Sequence, residues 1–168
     1  MTYPKALLSS NSVEWATPQY IFDALDEEFD FTLDPCATHE NAKCPRYYTM
    51  SDNGLMQDWK RERVFCNPPY GRQVGDWVRK CYQSSLEGAL VVVLLPCATS
   101  TGWFHEWIHG KAELRFIKGR LKFNDGQMSA PFSSMIVIFR PYGVLMESVF
   151  APPHAAVPAF PATSTMLH

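Results

Sequence analysis

Apolar positions along this chain change their period several times, and each change marks an element. Ile21, Phe22, Leu25 and Phe29 recur at helical spacing. Thr17-Pro18 stands just ahead of them, with Thr17 placed to cap the helix and Pro18 suited to its first position. Phe31-Thr32-Leu33 predicts a short strand leading into Asp34-Pro35. From Cys36 to Asn53 the pattern weakens, with a strand predicted at Tyr47 to Met50. Arg63 to Cys66 reads as a second core strand. Val74, Trp77, Val78, Cys81, Tyr82 and Leu86 then trace one face of a helix. Ala89 to Pro96 is almost unbroken aliphatic, as expected of a strand buried on both faces of a parallel sheet. A helix from about Thr101 to His109 follows. Two strand-like segments come last, Glu113 to Ile117 and Ser134 to Phe139, separated by Gly, Asn, Asp and Pro.

Alternating strands and helices predict an α/β fold with a mostly parallel, twisted central sheet. The last two segments predict an antiparallel C-terminal hairpin at its edge. A chain of 168 residues, 46% hydrophobic, can bury one proper core. Residues 1–11 read as an N-terminal arm, 12–145 as the folded domain, and 146–168 as a Pro- and Ala-rich tail expected to be disordered. The longest apolar run is far too short to span a bilayer, and the N-terminus lacks a basic-then-apolar leader. A cytoplasmic protein with no membrane partner is the expectation. The five cysteines are scattered and never spaced C-x-x-C, so they are read as free thiols rather than a disulfide framework or a structural zinc site.

The net charge of −2 hides an asymmetry. Asp23 to Asp34 holds six acidic residues and no basic one, whereas Lys60 to Lys122 holds eleven basic residues against five acidic. Within the latter, Lys111, Arg115, Lys118, Arg120 and Lys122 face only Glu113. Such a cluster either supplies phosphate contacts or is an ordinary solvated surface, and charge alone does not separate the two.

The most specific chemistry lies at Asn67-Pro68-Pro69-Tyr70, directly after the strand that ends at Cys66. A residue before proline is pushed towards extended backbone. The two prolines fix two φ angles and remove two N–H donors. The outcome is a stiff hook that presents an amide, unpaired carbonyls and an aromatic ring to one cavity. Those groups suit a planar base with an exocyclic amino group. At the first strand end, Asp34 is either a hydrogen-bond acceptor for a ligand or a turn-forming Asp-Pro.

The hook resembles the catalytic motif of S-adenosylmethionine-dependent amino-methyltransferases. The chain from about Ser12 to Phe139 is similar to the small phage-type DNA N6-adenine methyltransferases. The residues that carry the likeness are Glu14-Trp15-x-Thr17-Pro18, Asp34-Pro35-Cys36-Ala37-Thr38, Glu40-Asn41-Ala42, Asn53-Gly54-Leu55, Asp58-Trp59, Cys66 to Gly71 and Ala130-Pro131-Phe132. The resemblance implies a Rossmann-like fold and methyl transfer from S-adenosylmethionine to adenine N6 in double-stranded DNA, with no metal. It implies that Asn67 and the Pro68 carbonyl accept the protons of the amino group, that Pro69 stiffens the hook, and that Tyr70 stacks on a flipped base. It places Glu14, Trp15, Thr17, Pro18, Asp34, Pro35 and Cys36 around the cofactor. Asp58, taken as a third strand end, is expected to hold the target base, and Arg120 and Lys122 to contact DNA. The turn after the first strand lacks the usual glycines. Little of the chain remains for a recognition domain, which leaves loops such as Gly119 to Phe132 or a second subunit.

Three other readings compete, one of them a catalytically dead DNA-binding module. Related hooks act on RNA adenine, cytosine N4 or protein glutamine. His105-Glu106-Trp107-Ile108-His109 fits the H-E-x-x-H pattern of zinc metalloproteases, although no third ligand follows at a familiar spacing. That reading also leaves the hook unexplained.

Overall fold

The computed structural model describes residues 15–123 and 128–142. Helix α1 (Gln19–Phe29) is followed by β1 (Leu33–Asp34), β2 (Arg46–Tyr47), a 3-10 turn (Gly54–Met56) and β3 (Arg63–Cys66). Helix α2 (Val74–Leu86), β4 (Leu90–Pro96) and a π-helical turn (Phe104–Ile108) come next. The chain then forms β5 (Glu113–Phe116), β6 (Lys122–Phe123), β7 (Met128–Ser129) and β8 (Ser134–Phe139). Among the described residues no helix is long and apolar enough to cross a membrane.

Six strands form one mixed sheet in the order β2-β1-β3-β4-β8-β5. The first four are mutually parallel, and β8 runs antiparallel to both β4 and β5. The expected α/β sheet with an antiparallel pair at its edge is what the chain builds. The strand formed last, β8, sits inside β5, next to β4. The segment between them makes a separate two-stranded ribbon, β6–β7.

Strand β4 is the centre of the core. Val91, Val93 and Leu95 face a layer made by α2 and the π-helical turn, with Trp77, Val78, Cys81, Phe104 and Ile108. Val92 and Leu94 face α1 and the ribbon, with Phe22, Leu25, Phe65, Leu121 and Phe123. All five of these β4 side chains are fully buried, and each contributes about 1.5–3 kcal/mol of hydrophobic stabilisation. A run without alternation is the pattern that a strand covered on both faces requires.

Several elements differ locally from their predicted form. Helix α1 begins one residue later than expected, with Pro18 at the N-cap position and no side-chain cap. Thr17 does not cap because its hydroxyl is engaged elsewhere. Leu86, at the end of α2, is 47% exposed, while Ser84 and Ser85 turn inward. The strand predicted at Tyr47 to Met50 is Arg46–Tyr47. The helix predicted over Thr101 to His109 is largely π-helical, with the His109 N–H reaching back to the Phe104 carbonyl. The predicted arm and tail lie outside the described residues.

Among the described glycines, Gly54 makes the closest approach to neighbouring backbone. A Cβ there would lie 2.0 Å from the Pro35 carbonyl oxygen, which belongs to the turn after β1. Gly54→Ala is therefore expected to lower stability by about 1–3 kcal/mol, read as an earlier midpoint in urea unfolding. An unchanged midpoint would mean that the turn yields freely.

Candidate active site

The chain steps from β1 outward to β2, then returns to place β3 on the other side of β1. In an open α/β sheet such a reversal opens a crevice beyond the carboxyl ends of the strands. Asp34 closes β1 and Asn67 directly follows β3, so both stand at that crevice. Neighbouring strands lie about 5 Å apart. The Cys36 and Cys66 sulfurs are 3.6 Å apart. The two strand ends are thereby tied together.

Asp34 is 5% exposed, and its carboxylate is fixed by backbone donors. The Cys36 N–H reaches Oδ1 at 3.3 Å and the Lys43 N–H reaches Oδ2 at 3.1 Å. Burial penalises the charged form and raises its pKa to about 6, while the N–H bonds and Lys43 oppose the rise. A carboxylate has about four acceptor positions, so these two bonds leave capacity for a ligand. A cationic or hydroxyl-bearing group above it would offset the cost of burying the charge.

Asn67 is the best-partnered side chain of the site. Its Nδ2 donates to the Trp15 carbonyl at 2.6 Å and to the Thr17 hydroxyl oxygen at 2.9 Å. Its Oδ1 accepts from the Tyr70 hydroxyl at 2.9 Å. The same Tyr70 hydroxyl lies 3.2 Å from the Leu94 carbonyl, so two acceptors compete for one proton. Tyr70 is 9% exposed, and burial pushes its phenol well above its ordinary pKa, so it stays a donor. Pro68 is buried behind the hook and Pro69 is exposed.

Four aromatic rings gather beside this amide. Trp15 meets Phe123 and Phe132 edge-on, with centroids 5.1 and 5.5 Å apart, and Phe132 meets Tyr70 edge-on at 5.5 Å. Phe132 is partly exposed and Phe123 fully buried. Neither is among the site residues expected from the sequence, where Phe132 enters only through the Ala130-Pro131-Phe132 match. The usable signal was the alternation of Leu121 and Phe123 inward with Arg120 and Lys122 outward. That period of two marks a strand laid on the core, and it aims the two cations outward beside the hook. The Arg120 guanidinium also lies 3.3 Å from the Ala130 carbonyl.

The remainder of the basic cluster is committed elsewhere. Arg115 forms a two-pronged ion pair with Glu28 of α1, at 2.5 and 2.7 Å, and also binds Glu113. Lys111 donates to the Glu106 carbonyl. On the ribbon side, Lys118, Arg120 and Lys122 are the exposed cations.

Of the expected site residues, the structure gathers Trp15, Thr17, Asp34, Pro35, Cys36, Asn67, Pro68 and Tyr70 at one edge of the sheet. Pro18 is buried at the start of α1. Glu14 lies outside the described residues. Asp58 is a correction: no strand ends there. It sits in the connection that enters β3 at the end opposite Asn67, exposed, with Oδ1 accepting the Lys60 N–H at 2.8 Å. A carboxylate capping its own turn gave a false strand-end signal. His105 and His109 stand with rings 5.8 Å apart, and among the described residues no group of three His, Cys, Asp or Glu side chains could hold a metal ion.

A family model described as DNA N-6-adenine-methyltransferase (Dam) matches residues 6–154. The DNA N-6-adenine-methyltransferase of Haemophilus phage HP1 (strain HP1c1) is 32% identical over 145 residues, covering 80% of this chain and 84% of that protein. The protein of the same name from Escherichia phage T1 is 32% identical over 109 residues, covering 64% of this chain and 45% of its own length.

The folded state holds the Asp34 proton more tightly than the unfolded chain does. Its contribution to stability is therefore full below pH about 4, declines as pH rises, and levels off above pH about 6, a change of about 3 kcal/mol. The carboxyl carbon-13 shift of Asp34 should titrate with a midpoint near 6. A midpoint at the ordinary value of 3.8 would remove the burial argument.

Proposed function

The chain belongs to the DNA N-6-adenine-methyltransferase (Dam) family, and from that premise we propose that the hook at Asn67 is where its methyl transfer to adenine N6 takes place, with S-adenosylmethionine as the donor. The observation that carries the reading is the Asn67 amide. Its nitrogen is held by the Trp15 carbonyl and the Thr17 hydroxyl, its oxygen accepts from Tyr70, and one acceptor position on that oxygen remains.

The adenine amino group is a weak nucleophile because its lone pair is conjugated with the ring. Asn67 Oδ1 and the Pro68 carbonyl accept its two protons. Accepting both favours a pyramidal nitrogen and frees the lone pair in a fixed direction. S-adenosylmethionine supplies a methyl carbon made electrophilic by its sulfonium charge. As the new N–C bond forms, the donor's methyl–sulfur bond breaks and its electron pair stays on sulfur, leaving a neutral thioether. Positive charge passes to the nitrogen, where the two carbonyl oxygens stabilise it, and one amino proton is then lost to water. Neither an amide nor a peptide carbonyl is a base at neutral pH, so their work is orientation and electrostatics rather than proton removal. Tyr70 and Phe132 supply aromatic walls for a base rotated out of a DNA duplex.

The cofactor reading is supported by Asp34 at the end of β1. Its buried carboxylate keeps open acceptor positions and gains from a cationic neighbour. Trp15, Pro35 and Cys36 complete that side of the crevice, while the Thr17 hydroxyl is taken up by Asn67 and Pro18 is buried at the start of α1. Arg120 and Lys122, outward on the ribbon, are the proposed phosphate contacts.

Incubation with methyl-labelled S-adenosylmethionine and duplex DNA, followed by nucleoside analysis, should yield labelled N6-methyladenine. Label in N4-methylcytosine, in RNA alone or in protein would overturn the substrate. Asn67→Ala should cost about a hundredfold or more in transfer while leaving DNA binding intact. For Arg120→Ala with Lys122→Ala, DNA affinity should fall for all sequences alike. Its dependence on the logarithm of salt concentration should flatten by about one per lost phosphate contact. A loss confined to one sequence would instead assign the pair to base reading.

A further inference from the structure

An amide side chain can face either way at similar shape, and only its partners decide which end does what. At Asn67 one partner permits no choice. The Trp15 carbonyl oxygen lies 2.6 Å from Nδ2 and carries no proton. Turning the amide over would set two acceptor oxygens against each other at that distance. Thr17 takes the second Nδ2 proton at 2.9 Å. Both come from the segment ahead of α1, about fifty residues away in sequence, and Thr17 is buried.

Resting on the role proposed for Asn67, we propose that Thr17, together with the Trp15 carbonyl, is a positioning residue for methyl transfer. It holds Nδ2 so that Oδ1 faces the target amine. Donation from both Nδ2 protons also draws electron density through the amide onto Oδ1, which makes it a stronger acceptor. The Tyr70 hydroxyl takes one acceptor position of Oδ1, with the Leu94 carbonyl 3.2 Å away as a second partner, and leaves the other position to the amine. This arrangement explains why an amide stands at position 67. A carboxylate there would set an unprotonated oxygen against the Trp15 carbonyl.

Three variants test the inference, with turnover and KM for DNA and for S-adenosylmethionine measured separately. Thr17→Val keeps the shape but leaves one Nδ2 proton without an acceptor. It should lower kcat about tenfold or more and change both KM values less than about threefold. Thr17→Ser restores the acceptor and should return kcat to within about threefold of the parent. Asn67→Asp should work only when the oxygen facing Trp15 is protonated. Its activity relative to the parent at each pH should therefore climb as pH falls from about 8 to about 5.5. The titratable groups near position 67 are Tyr70, Cys36, Cys66 and Asp34, and all are present in both proteins, so the ratio isolates position 67.

A parent-like kcat in Thr17→Val, failure of Ser to rescue, or a defect confined to the KM for S-adenosylmethionine would overturn the inference. So would a flat Asn67→Asp ratio, which serves as the test if Thr17→Val fails to fold. Asn67→Ala separates the two levels. If it retains full transfer, the reading of the hook itself fails. If it is inactive while Thr17→Val is not, only the positioning role fails.

Discussion

The parallel pairing of β1, β3 and β4 is the constraint on which the rest of the molecule depends. Parallel neighbours cannot be joined by a tight turn, so each returns through a crossover, and all of their carboxyl ends emerge on one edge. That edge receives Asp34, Asn67 and the Leu94 carbonyl from residues far apart in sequence. Burial of Val91 to Leu95 between two layers keeps the pairing in register. A slip of one residue in β4 would exchange its two faces and move the hook away from its neighbours.

The site balances desolvation against hydrogen bonding at each group it uses. Asp34 is nearly buried, and two backbone N–H groups offset only part of the cost of its charge. Asn67 is neutral and meets the same enclosure with three internal partners. An amide tolerates a crevice lined by Trp15, Tyr70 and Phe132 at lower cost than a carboxylate does. The cations follow a similar division. Arg115 is tied to Glu28 and Glu113 and fastens the sheet edge to α1, whereas Arg120 and Lys122 stay exposed on the ribbon. One stretch of basic sequence thus contains both structural and ligand-facing charges.

Much of the fold was legible because its signals are local. Phe22, Leu25 and Phe29 disclose α1 by their spacing, and the unbroken run at Val91 to Leu95 discloses a doubly covered strand. The order β4-β8-β5 was not legible, since nothing in Ser134 to Phe139 states which neighbour it will join. Thr17 misled as a helix cap because its hydroxyl has two possible uses, and the nearer one in sequence lost to Asn67. Asp58 misled in the same way: its short-range bond to Lys60 imitates a functional strand end.

By itself the sequence determined the α/β class, the helices, the core strands and the stiff hook at Asn67-Pro68-Pro69-Tyr70, because period, proline geometry and apolar runs act over a few residues. It also determined, through its family likeness, the reaction. Only the tertiary structure decided which way the Asn67 amide faces, which cations stay exposed, and that Phe132 and Trp15 wall the same crevice as Tyr70. Those outcomes depend on contacts across fifty residues or more, where a hydroxyl or a guanidinium chooses among partners that the folded chain alone brings within reach.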